Sequence, residues 1–126
     1  MASIIIASGE HEGDYYPLGR RTNVIGRAEQ LPIQVLDHEV SRKHLQIRFD
    51  QATGRYHALD MQSRNGVFIN GHRITTEAVL NDGDRIRIGD TELLFVNQDF
   101  DDKESALHQY KKIGERSRPT FMGDLG

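Results

Sequence analysis

Thr53-Gly54, Asn65-Gly66, Asn70-Gly71, Asp82-Gly83 and Gly89-Asp90 divide the chain into short runs in which apolar and polar residues alternate. Pairs of this kind accept the positive backbone φ of tight hairpin turns. Between such turns, Leu45, Ile47 and Phe49 would face one side of a strand, with Gln46 and Arg48 on the other. Leu93 and Phe95 alternate in the same way. The spacing predicts strands at Ile4–Ala7, Tyr15–Leu18, Thr22–Gly26, Ile33–Leu36, Leu45–Phe49, Tyr56–Leu59, Val67–Ile69, Arg85–Ile88 and Glu92–Val96. Many short strands at close intervals read as an all-β, antiparallel sandwich or barrel.

A chain of 126 residues has room for one such core plus a tail. We expect the domain at 1–97 and a C-terminal tail or linker at 98–126, where the composition changes. Asn97–Glu104 is acidic, and Ala106, Leu107, Tyr110 and Ile113 then recur at helical spacing, ahead of Gly114. The tail therefore reads as one short helix followed by an unstructured end. A helix of that length is marginal in water by itself.

Composition excludes several classes of function. The net charge of -3 argues against a protein that coats nucleic acid. With zero Cys there are no disulfides, no thiol catalysis and no thiolate metal sites. Ile4-Ile5-Ile6-Ala7 is too short for a signal peptide or a membrane span, so the expected location is cytoplasmic, with no membrane partner. The six His residues show no tight ligand spacing, and no metal or other cofactor is expected. Ser41 and His44 do not read as a hydrolase pair, because no acid partner or nucleophile-elbow glycines surround Ser41. With no phosphate-binding glycine loop, dinucleotide fingerprint or paired catalytic carboxylates either, the chain is not expected to be an enzyme.

Three polar clusters sit where a sandwich presents loops. They are Gly26-Arg27 after Val24-Ile25, Val40-Ser41-Arg42-Lys43-His44 before the strand at Leu45, and Ser63-Arg64-Asn65-Gly66. In this order and spacing, with Asp37, Asn70-Gly71 and Leu80-x-x-Gly83-Asp84-x-Ile86-x-Ile88-Gly89, the stretch from about Asn23 to Val96 resembles the forkhead-associated (FHA) domain family. The resemblance implies a two-sheet β-sandwich of about eleven strands that binds phosphothreonine-containing proteins or peptides through loops at one end. It places the chain in Ser/Thr kinase signalling, with a Ser/Thr protein kinase or its substrate as partner.

Elementary chemistry suits those residues to that ligand. Phosphothreonine carries about −1.5 to −2 charge and three acceptor oxygens, so it needs several converging donors. Arg27 offers a fixed charge and a donor fork. Ser41 adds a short hydroxyl, while Arg42 and Arg64 add charge and backbone N–H groups. Asn65 can pair with a peptide backbone as donor and acceptor. Arg64 stands where the family often has Thr, and Val67 where Thr is common, a change expected to alter peptide preference. Gly26, His44 and Gly66 read as supports of the site rather than ligand contacts.

The rival reading is a phosphate-independent interaction or regulatory scaffold acting through sheet faces or the tail. Such a scaffold would have no need of Arg27, Ser41 and Asn65 together. The tail adds Thr120, preceded by Arg116 and Arg118, as a site whose phosphorylation would drive self-association through the receptor loops.

Overall fold

The computed structural model describes residues 2–97, which form eleven β-strands in two sheets. The expected tail helix and Thr120 lie outside the described residues. One sheet has the order β2 (Tyr15–Pro17), β1 (Ser3–Ile6), β11 (Thr91–Val96), β10 (Arg85–Ile88), β7 (Val67–Ile69), β8 (His72–Arg73). The other runs β4 (Ile33–Gln34), β3 (Asn23–Gly26), β5 (Leu45–Asp50), β6 (Arg55–Asp60), β9 (Ala78–Val79).

Alternation sets which residues meet between the sheets. Ile4, Ile6, Ile86, Ile88, Leu93 and Phe95 from the first pack against Ile25, Leu45, Ile47 and Ala58 from the second, all essentially inaccessible to solvent. The ring of Tyr56 joins Phe49 and Phe95 at centroid separations of 5.1 and 5.7 Å, in the tilted arrangement aromatic pairs favour. Among the described residues no helix is long and apolar enough to cross a membrane.

The glycine of every turn pair has positive φ, and Asn70 joins Gly71 there at 51° and 84°. Two consecutive left-handed residues make the tight hairpin that links β7 to β8, which explains why Asn precedes Gly at that point. The nine expected strands are present with ends shifted by up to two residues, and β8 and β9 are additional. One pairing is not antiparallel. The loop after Gly26 brings Ile33 and Gln34 alongside Ile25 and Gly26 in parallel register. The chain thereby folds back over the end of β3, and the 27–32 segment becomes one wall of a loop cluster.

Candidate functional site

Four connections converge at the end of the sandwich where β3 and β10 finish and β5, β7 and β11 begin. They are the segments after Gly26, before His44, before Val67, and the Gly89–Asp90 turn. The first two are zipped by backbone bonds, Arg27 N–H to the Ser41 carbonyl at 3.0 Å and Ala28 N–H to the Arg42 carbonyl at 3.1 Å. Gly26 makes this approach feasible. A Cβ there would overlap the Arg42 carbonyl oxygen and lie 2.9 Å from that of Ser41.

Arg27 is held by its stem. Its Nε donates to the Val40 carbonyl at 3.1 Å, and among the described residues nothing takes the two Nη groups, which remain available to a ligand. Ser41 is oriented in a comparable way. Its Oγ accepts the Arg64 N–H at 3.0 Å, so the hydroxyl proton is left to donate elsewhere. The same bond brings Arg64 beside Ser41, and Arg42 lies exposed, next in chain to Ser41. Arg27, Arg42, Lys43 and Arg64 thus give this end a positive face on a chain of net negative charge.

Beneath them His44 is fully buried and ties two loops together. Its Nδ1 accepts the Ser41 N–H at 3.0 Å, and Nε2 lies 2.7 Å from the Gly66 carbonyl. Since Nδ1 accepts, the proton sits on Nε2, which donates to that carbonyl. Gly66 in turn donates its N–H to Ser63 Oγ at 2.9 Å, and Ser63 N–H to Asp60 Oδ1 at 3.0 Å, continuing the brace into β6.

Asn65 reaches back to the other loop. Its Nδ2 donates to the Glu39 carbonyl at 2.8 Å and to the Glu39 carboxylate at 3.0 Å. Beside it lies a shallow hollow of about 410 Å³ lined by Glu39, Asn65, Phe68, Arg87, Gly89 and Asp90. The Arg87 guanidinium stacks 4.4 Å from the Phe68 ring centroid and walls the hollow. Sequence reasoning missed Glu39, Phe68 and Arg87. Nothing in the local pattern separates them from ordinary surface residues, since Phe68 and Arg87 meet only through the pairing of β7 with β10, and Glu39 only through Asn65, 26 positions away.

Val67 corrects an expectation. Its side chain is fully buried in the core, so it cannot tune peptide preference by contact.

Asp37, which the sequence offers only as part of a motif, locks the site loop to the other sheet. One carboxylate oxygen accepts the Glu39 N–H at 2.8 Å, and the other accepts the Asp90 N–H at 2.9 Å and the Thr91 hydroxyl at 2.8 Å. Burial by itself raises the Asp37 carboxyl. The Glu39 N–H, the Thr91 hydroxyl and the Asp90 N–H, with His38 nearby, outweigh it and hold the group below its ordinary value. Because the folded value is the lower one, this stabilisation is whole above the ordinary carboxylate value of 3.8. It is lost as pH falls through the folded value. Hydrogen exchange at the Asp90 amide should be faster in Asp37→Ala than in the parent near neutrality. That gap should close as the pH drops below the ordinary value. A gap that persists unchanged into strong acid would contradict the role given to the carboxylate.

Comparisons with known proteins agree with this geometry. The sequence profile of the FHA domain matches residues 23–89. The FHA domain-containing protein FhaA of Mycobacterium tuberculosis is 36% identical over 93 residues, covering 73% of this chain and 17% of FhaA. The glycogen accumulation regulator GarA of Mycolicibacterium smegmatis is 30% identical over 95 residues, 75% of this chain and 58% of GarA. The match therefore spans less than two thirds of these relatives. Among solved structures, an FHA domain studied for phosphothreonine-dependent interactions superposes with a TM-score of 0.69 at 30% identity, over 79% of this chain and 98% of that one. Mycobacterium tuberculosis EmbR in complex with a low-affinity phosphopeptide gives 0.68 at 34% identity, over 80% of this chain and 25% of EmbR.

Proposed function

The chain belongs to the FHA domain family, and from that premise we propose that it is a non-catalytic module that recognises phosphothreonine in partner proteins. The carrying observation is the pairing of Arg27 and Ser41. Each spends its inward bonding on the scaffold and turns its remaining donors to solvent at one positive loop end. Arg27 and Ser41 hold the phosphate, Arg42 and Arg64 add donors and charge, and Asn65 pairs with the peptide backbone. Gly26, His44 and Gly66 keep the loops in place. In a cytoplasmic Ser/Thr kinase pathway the module would recruit the kinase or its phosphorylated substrate. A phosphorylated Thr120, in the same chain or a second copy, is a further ligand for this site.

Calorimetric titration with one threonine peptide, phosphorylated and unphosphorylated, tests this reading. Binding is expected only with the phosphate present, and more tightly for phosphothreonine than for phosphoserine. Equal affinity for phosphorylated and unphosphorylated peptide would favour a phosphate-independent scaffold.

Glu39 opposes the ligand. Its carboxylate engages the amide of Asn65 and sets a negative charge at the edge of a site for a dianion. Glu39→Gln removes the charge and leaves the Glu39 carbonyl as the acceptor for Asn65. Phosphopeptide affinity should rise roughly two- to fivefold, the scale of one solvent-exposed charge interaction. The gain should shrink with added salt. Unchanged affinity at low ionic strength would remove Glu39 from this role.

A further inference from the structure

The six-stranded sheet carries a second apolar surface, on the face turned away from the core. Ile4, Ile6, Leu93 and Phe95 point inward, so Ile5, Leu94 and Val96 point outward, and these three form a separate apolar cluster. Their register makes it a compact strip, with Ile5 opposite Leu94 on one side and Tyr15 on the other, and Val96 opposite Ser3. Outward-facing residues of a two-layer sandwich are normally in water, yet Ile5 is 0% exposed and Leu94 and Val96 are each 1% exposed. The apolar neighbours described beside them are Ala7 and Tyr15, both only partly buried.

We propose that the strip is the docking site of the chain's own C-terminal segment, with Ala106, Leu107, Tyr110 and Ile113 laid across Ile5, Leu94 and Val96. Three features fit this occupant. The first is position: the chain leaves β11 at Val96, itself a member of the strip, and 29 residues (126 minus 97) follow Asn97. The second is size. From Ala106 to Ile113 a helix rises about 10 Å, and β11 from Glu92 to Val96 extends about 14 Å. The third is charge. Arg85, whose guanidinium also pairs with Glu92 at 2.9 Å, and Arg87, which stacks on Phe68, alternate with the inward Ile86 and Ile88 and so border the strip on the outer face, and Asp99, Asp101, Asp102 and Glu104 precede the apolar residues. A segment too short to persist as a lone helix gains from an apolar partner, and an outward apolar sheet face that is held out of water is such a partner.

The direction of docking has a consequence. Val96 lies at the end of the sandwich opposite the loop cluster, because β11 begins at Thr91 beside Asp37. To cover the strip the segment must turn back and run antiparallel to β11. The residues after Ile113 are then delivered to the same end of the molecule as Arg27 and Ser41. This docking does not depend on what those loops bind.

The test uses the full chain with isotope-labelled Ile, Leu and Val methyls. Cross-relaxation is expected between the Tyr110 ring and the methyls of Ile5 and Leu94. Leu107→Asp combined with Ile113→Asp should abolish it and shift the Ile5, Leu94 and Val96 methyl signals, leaving those of Ile47 and Ile25 in place. A mixture of labelled and unlabelled chains identifies the donor of the segment. Cross-peaks that appear only between chains mean a second copy covers the strip, which overturns the assignment. So does their absence in the folded full chain, or their origin in Phe100 or Phe121 with none from residues 106–113.

Discussion

Arg27→Ala should lower affinity for a phosphothreonine peptide by about ten- to a hundredfold, the worth of a charge-assisted hydrogen bond at roughly 1.5–3 kcal/mol. Thermal stability should barely change. The guanidinium gives only its Nε to the scaffold, so truncation costs at most the partner of one part-buried carbonyl, that of Val40. Ser41→Ala should cost a similar factor by a different route. It removes the hydroxyl donor and also frees the Arg64 N–H that the oxygen holds. The two losses should not add fully, since both residues would grip one phosphate group. Calorimetry with a phosphopeptide reads both variants, and melting curves check that each is folded. Normal binding by both would refute the phosphate assignment.

The parts of this molecule that were legible in its sequence share a physical cause. The strands with two or more inward residues, such as Leu45–Asp50 and Arg85–Ile88, announce themselves because a buried face forces a period of two. The turns announce themselves because positive φ selects glycine and asparagine. His72–Arg73 and Ala78–Val79 were not legible. Each is two residues long, places nothing fully in the core, and is a strand only because β7 or β6 offers it an edge. The parallel pairing of β4 follows from the path of one loop, on which periodicity is silent.

The site divides in the same way. Arg27, Ser41 and Asn65 stand at loop starts and ends in the order and spacing of the FHA family, so the resemblance to that family points to them. Glu39, Asp37 and Arg87 act through contacts far apart in the chain. The Asp37 link to Asp90 and Thr91 spans more than fifty positions, and no local window contains both ends. Val67 shows the converse error. As a departure from the Thr common in the family it was expected to alter peptide preference, whereas its side chain is turned inward at the start of β7.

His44→Ala should show how far the binding loops depend on one buried ring. The imidazole accepts from Ser41 in one loop and donates to Gly66 in another, 22 positions further along the chain. Removing it strands a donor and a buried carbonyl, at about 1–3 kcal/mol for each group left unpaired. The vacated space adds a packing loss. A total of about 3 kcal/mol would lower the melting temperature by roughly 10–20 °C in a domain of this size. Binding should fall as well when measured well below that temperature, because Ser41 and Asn65 would each sit on a loop without its brace. His44→Gln separates the two effects. An amide can reproduce one acceptor and one donor on a side chain of comparable reach, so it should recover part of the stability, and recover affinity in proportion. If His44→Ala melts like the parent and binds phosphopeptide equally well, the ring is only filling space. The geometry of the site would then rest on the zipper between Arg27 and Ser41 instead.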